Sequence, residues 1–320
     1  MSETWLWIAF NAGVLAVLAI DLGVFNKKAH KISVKEAAIW SSVWITLSLG
    51  FAGVIYKIRG RQAALEFVTG YLIEYSLSID NIFVIVLIFS YFRIADKYQH
   101  RVLFWGIIGA LVMRGAMIAM GALLIQRFHW VLYVFGAFLV FTGIRMAMQD
   151  ETDIEPESNP VLRLVRRLIP VTPDFRGQDF FVREEVRTVS GSGGAAQTRL
   201  MATPLFIVLV LVETTDLIFA VDSIPAIFAI TQDPLLVYTS NVCAILGLRS
   251  LFFMLAGVIH RFHYLKLGLA VVLTFVGVKM LISSQYHIPT GASLLVIAGI
   301  LGVSVAASIV FPRDATSPRA

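Results

Sequence analysis

Apolar residues run along this chain in long blocks separated by short polar links. Nine blocks, at about 5–25, 36–56, 65–92, 101–125, 130–149, 203–230, 235–258, 264–283 and 288–311, are long enough, or nearly so, to cross a bilayer as helices of roughly 20 residues. The pattern predicts an all-α polytopic membrane protein with about nine transmembrane helices. The first block is not expected to be a cleaved signal. It begins with Glu3, lacks a basic leading region, and Asn11-Ala12-Gly13 is a poor small-residue cleavage site.

Composition agrees with that class. The chain is 58% apolar and only 15% charged, with a mean hydropathy of +0.80, whereas soluble domains carry about 25% charge. The single Cys243 excludes a disulfide scaffold, a zinc–thiolate site and a CxxC dithiol centre. No Gly-rich phosphate loop, Walker box or HExxH occurs, so no enzyme and no prosthetic group are expected. The net charge of +5 would suggest nucleic acid in a soluble protein, but the placement of the charges explains it otherwise. With the N-terminus outside, eighteen of the 26 Lys and Arg fall in inner segments and four in outer ones (Lys57, Arg59, Arg61, Arg127). Arg114, Arg145, Arg249 and Lys279 lie within spans. Cytoplasmic loops are enriched in Lys and Arg, so the expected topology is N-out and C-in, with the lipid bilayer and not nucleic acid as partner.

One polar segment, 150–202, interrupts the blocks on the inner side. The acidic run Asp150–Glu157 reads as a solvated loop. From Val161 to Ile169 apolar residues alternate with Arg163, Arg166 and Arg167 in a helical pattern suited to the membrane surface. Phe180-Phe181-Val182 is placed to start a short strand, and Gly191-Ser192-Gly193-Gly194 reads as a flexible connector. Protein partners, if the chain has them, are expected here.

The chain also repeats itself. Residues 127–146 (RFHWVLYVFGAFLVFTGIRM) and 261–280 (RFHYLKLGLAVVLTFVGVKM) are identical at seven of twenty positions without a gap, against roughly one or two by chance. Upstream, Arg114 answers Arg249, Ser78-Ile79-Asp80-Asn81 answers Ala220-Val221-Asp222-Ser223, and six residues before each aspartate stands another acid, Glu74 or Asp216. Three spans, 65–149, are thus repeated at 203–283, preceded by two leading helices in 1–57 and followed by a last helix at 288–311 and a tail at 312–320. Because the first copy starts outside and the second inside, the copies are inverted, an arrangement typical of secondary transporters with midplane ion sites.

The repeats bring five acids into the membrane: Glu74 and Asp80 in one span, Glu213, Asp216 and Asp222 in the other. Unpaired, they would cost roughly 12–18 kcal/mol if the contributions added. Arg114 and Arg249 supply two counter-charges; the remaining negative charge calls for a bound cation, for protonation, or for alternation between them, which is a proton-coupled cation exchanger. On a straight helix Glu74 and Asp80 stand about 9 Å apart axially and about 120° apart around the axis. Asp222-Ser223-Ile224-Pro225 removes a backbone donor just after the acid and invites a kink or an unwound turn. The expected first sphere is Asp80 and Asp222 with Asn81, Ser223 and nearby backbone, and Glu74, Glu213 and Asp216 are further ligands or proton carriers. Carboxylate and amide oxygens suit hard cations such as Mn²⁺, Mg²⁺ or Ca²⁺. No His lies mid-span beside the acids, which disfavours Zn²⁺ and Cu⁺. Each acid has a plainer alternative, a structural ion pair with Arg114 or Arg249.

At Gly70-Tyr71-Leu72-Ile73-Glu74, Ser78–Val84 and the stretch FAVDSIPAIF at 219–228, the chain resembles the TerC family. Thr239-Ser240-Asn241, Ala244–Arg249 and Phe180–Arg183 extend the likeness, which is greatest to the Alx branch and covers nearly all of residues 5–311. The resemblance implies a multi-pass protein of the bacterial inner membrane, of the tellurium-resistance group, described as a membrane-bound redox modulator and linked to manganese export. Asp80, Asn81, Asp222, Ser223, Glu74, Glu213 and Asp216 stand where that family has its acidic membrane motifs. The Gly/Ser-rich loop at 191–197 departs from the family's pattern.

Overall fold

The computed structural model describes residues 3–20, 33–148, 160–186, 197–256, 263–286 and 288–311. The acidic run, the glycine connector, Arg261 and the tail lie outside them. The element order is α1 (Glu3–Ile20), α2 (Val34–Tyr91), α3 (Asp96–Arg127), α4 (Val131–Met148), α5 (Pro160–Leu168), β1 (Phe181–Val186), β2 (Gln197–Ala202), α6 (Pro204–Phe228), α7 (Pro234–Leu255), α8 (His263–Leu281) and α9 (Thr290–Val310).

Where the sequence pattern leads one to expect nine spans, seven of the described helices are long and apolar enough to cross a membrane. Two local features account for the difference. The apolar part of α1, Thr4–Ala19, is short. The expected second and third spans run together as α2, which is 58 residues long and leaves helical geometry only at Gly60, φ 89°. A straight helix of that length would measure about 87 Å, far beyond a hydrocarbon layer of about 30 Å. Gly60 supplies the break at no Cβ cost, and each side of it exceeds the length of one crossing.

The bundle is organised around three close contacts. α2 lies along α7, burying Phe67, Tyr71, Leu236 and Ala244 in one cluster. α3 packs on α6, with Ile118, Ala122, Ala220 and Ile224 between them. α4 and α8 meet backbone to backbone: a Cβ on Gly136 would fall 3.0 Å from the Gly277 carbonyl oxygen, and one on Gly143 2.7 Å from that of Ala270. As numbers rise along α4 they fall along α8, so the pair is antiparallel. α9 covers α8 and the flank of α2, while α1 is tied to α7 by the Tyr238 hydroxyl, which donates to Asn11 Oδ1 at 2.7 Å.

The polar 150–202 segment is folded where it is described. α5 docks Leu162, 1% exposed, beside Leu205 at the start of α6, and turns Arg163 and Arg167 outward. β1 begins at Phe181 and pairs antiparallel with β2, Phe181 opposite Ala202. The Thr203 hydroxyl then donates to the Asp179 carbonyl at 2.6 Å, joining the hairpin to the first turn of α6.

Candidate functional site

At the centre of the bundle a single guanidinium holds two acids from different helices. Arg114 projects from α3; its Nε donates to Asp216 Oδ2 at 3.0 Å and its Nη2 to Asp216 Oδ1 at 2.7 Å. Its Nη1 pairs with Glu74 Oε1 and reaches Ser223 Oγ at 3.3 Å. Glu74 is fully buried and Arg114 2% exposed. Asn81 Nδ2 donates to Asp216 Oδ1 at 3.4 Å, and Asn241 Nδ2, from α7, to Glu74 Oε2 at 2.9 Å. The Glu74 backbone carbonyl accepts from Ser78 Oγ at 2.8 Å. The four elements α2, α3, α6 and α7 thus each contribute to one network, with two carboxylates against one guanidinium.

The orientation of the helices explains who belongs. A six-residue step turns a helix by about 600°, leaving neighbouring acids about 120° apart. Glu74 and Asp216 therefore face α3 and each other, and Asp80 and Asp222 face elsewhere. Asp80 is half-buried within electrostatic reach of Lys266 on α8. Asp222, also half-buried, interacts with Thr142 and Arg145 on α4. The expected first sphere of Asp80 with Asp222 is thus not the network that the fold assembles; its acids are Glu74 and Asp216, with Asn81 and Ser223 beside them. Among the described residues no group of three or more His, Cys, Asp and Glu is gathered in the manner of a closed metal site. The unwound turn that was one expectation at Pro225 is absent. α6 runs helical through it to Phe228, and the proline removes only the one bond that its N–H would have made to the Val221 carbonyl.

Glu213 stands one turn from Asp216, against Gly109 of α3. A Cβ at that glycine would run into its carboxylate, so the glycine makes its room. Its Oε2 is buried with no hydrogen-bond donor, and so are Asn81 Oδ1 and Asn241 Oδ1. These three oxygens carry unused lone pairs around an acid pair, which is the donor chemistry of a hard cation. Of the two predicted counter-charges Arg114 is the one in the network; Arg249 is half-buried in α7. Asn241 is the member that a search for charges overlooks. Its signal is a side-chain amide at mid-span, where an unpaired polar group is costly.

The comparisons with known proteins agree with one another. The family model described as "Integral membrane protein TerC family" matches residues 59–316. "Uncharacterized membrane protein STKORF319" of Myxococcus xanthus is 53% identical over 97% of this chain and 93% of its own length. "Putative membrane-bound redox modulator Alx" of Escherichia coli K12 is 48% identical over 92% of this chain and 91% of its own. A membrane protein of Rickettsia bellii is 42% identical over 95% and 97%. None of these three carries an enzyme's name. No solved structure matches the chain.

Proposed function

The chain belongs to the integral membrane protein TerC family, and from that premise we propose that it moves a hard divalent cation, Mn²⁺ as the leading candidate, out of the cell in exchange for protons. The carrying observation is the buried Glu74–Arg114–Asp216 network with its donorless amide and carboxylate oxygens. With no cation present the guanidinium offsets one of the two carboxylate charges and leaves the other for a proton. A cation is received when Arg114 releases a carboxylate and the Asn81, Asn241 and Glu213 oxygens turn to it. Ligands of this type suit Mn²⁺ better than thiophilic ions.

The inverted-repeat reading goes with it. Gly143 meets Ala270 and Thr274, and its repeat mate Gly277 meets Gly136 and Val140, which are the mates of those two residues. A twofold axis in the membrane plane, crossing an antiparallel α4–α8 pair, supports two inverted copies at 65–149 and 203–283. Counting α2 as two crossings about Gly60 and α1 as one gives nine, N-out and C-in, in the bacterial inner membrane.

Cellular manganese tests the proposal. Glu74→Gln and Asp216→Asn, and with them Asp80→Asn and Asp222→Asn, are expected to accumulate the metal; variants that extrude it like the parent would make the transport reading wrong. A second reading is favoured by the name of the Escherichia coli relative and by the folded α5–hairpin unit: an accessory that modulates redox or metalation through proteins bound at 150–202. Replacing that segment by a short linker separates the two, since loss of function with intact flux in proteoliposomes favours the accessory.

A further inference from the structure

A polar cavity of about 310 Å³ opens between α2, α6, α8 and α9, and its lining includes Gln62, Glu66, Thr231, Gln232, Lys279 and Thr290. It lies at the end of the bundle where α2 resumes after Gly60, where α6 and α8 finish and where α9 begins. In the N-out topology that is the outer face, opposite α5 and the hairpin. Lys279 is only 7% exposed, and the charge that acts on it is Glu66. Glu66 is held in place by Gln62, whose Nε2 donates to Glu66 Oε1 at 2.8 Å and to Thr290 Oγ1 at 2.8 Å. The C-terminal end of α6 adds the negative pole of its dipole. Phe228 and Ile230, both buried, also line the cavity. Glu66 precedes Glu74 by two turns of α2, about 12 Å along the axis.

A scaffold has no need of a lysine there: a buried ammonium is costly, and an apolar side chain would fill the space more cheaply. The cavity holds one carboxylate and several neutral oxygens, and the ammonium is the other charge in its lining. The repeat sharpens the point. Lys279 is the mate of Arg145, which lies exposed in a shallow groove with Phe141, Ile144 and Met148. Only the second copy is roofed, by α9, into a recess.

We infer that this recess is a second site for a hard divalent cation, at the outer mouth of the protein, with Glu66 as its charged ligand and Lys279 as a tethered cation that the ion displaces. The inference rests on the transport reading and deepens it: the ion leaves through this mouth, and the lysine opposes return from outside.

Mn²⁺ titrated into the purified full-length protein in detergent, with the unbound ion read by its EPR signal, tests the site. Glu66→Gln should bind one Mn²⁺ fewer per chain, Lys279→Gln should bind it about tenfold more tightly by losing a like charge, and Lys279→Arg should match the parent. Unchanged stoichiometry in Glu66→Gln together with unchanged affinity in Lys279→Gln overturns the inference. Should Glu66→Gln fail to fold, Glu66→Asp is expected to weaken the site, and parental affinity there overturns the inference equally. In proteoliposomes Lys279→Gln should lower the KM for entry from the outer face alone. A parent that carries no Mn²⁺ there defeats the transport reading, while the titration still decides the site.

Discussion

Arg114 grips Asp216 with two parallel hydrogen bonds, Nε to Oδ2 at 3.0 Å and Nη2 to Oδ1 at 2.7 Å, and keeps its third nitrogen for Glu74. A planar fork is needed for this; a lysine offers a point charge and no parallel pair. The grip joins three helices, since Arg114 comes from α3, Glu74 from α2 and Asp216 from α6.

Arg114→Met leaves two buried carboxylates facing each other, and breaking a buried pair from one side costs about 3–5 kcal/mol. The expected outcome is a clearly lower melting temperature in detergent, largely regained when Glu74→Gln and Asp216→Asn are added, because the neutral trio needs no counter-charge. Arg114→Lys should fall between. A single variant that melts with the parent would show that the network carries no structural weight.

Asn241 both orients Glu74 and offers an oxygen with no donor of its own. Asn241→Leu removes each in a similar volume. The transport reading expects the KM for Mn²⁺ in proteoliposomes to rise about tenfold, the equivalent of one lost ligand worth ~1.4 kcal/mol. An unchanged KM with an intact fold removes Asn241 from the site.

Much of this was legible in the residues and some was not, for identifiable reasons. Long apolar runs need to satisfy their own backbone in lipid, so the helices are readable from hydropathy alone. Phe180–Val182 as the start of a strand and the basic helix after Val161 appear as β1 and α5. Arg114 was legible as a candidate ion-pair partner, but not which acids it serves. The 120° turn between Glu74 and Asp80 was available from the sequence, but it says only that they part, and not that α3 brings Arg114 to the first while α8 brings Lys266 toward the second. Symmetry suggested Asp80 with Asp222. Symmetry offered Glu74 with Asp216 equally, and no repeat alignment says that Arg114 selects that pair.

Cys243 is buried in α7 and is the only cysteine of the chain. A dithiol cycle within one chain is therefore unavailable to it. Cys243→Ala is expected to leave manganese resistance and flux at parental levels, and a maleimide should label the parent's thiol only after unfolding. A redox-dependent phenotype lost in Cys243→Ala would instead favour the accessory reading, with the thiol supplied to a partner.

The α4–α8 seam makes a prediction that depends on helix packing alone. At Gly277 an added Cβ would sit 2.7 Å from the Gly136 carbonyl oxygen and 2.8 Å from the Val140 nitrogen; at its mate Gly143 it would sit 2.7 Å from the Ala270 carbonyl oxygen. These three atoms are backbone, which cannot swing aside as the Thr274 hydroxyl beside Gly143 can, so the helices must separate. Small residues at such crossings allow the close approach that holds helices together in lipid, and forcing extra atoms into a packed seam costs about 1–3 kcal/mol. Gly277→Ala and Gly143→Ala should therefore lower the melting temperature by similar amounts. Gly302→Ala on α9, where nothing lies within 4 Å of the added Cβ, should be neutral or gain up to about 1 kcal/mol from helix propensity. If Gly277→Ala and Gly302→Ala melt alike, α4 and α8 do not touch as described, and the twofold axis drawn through their crossing loses its support.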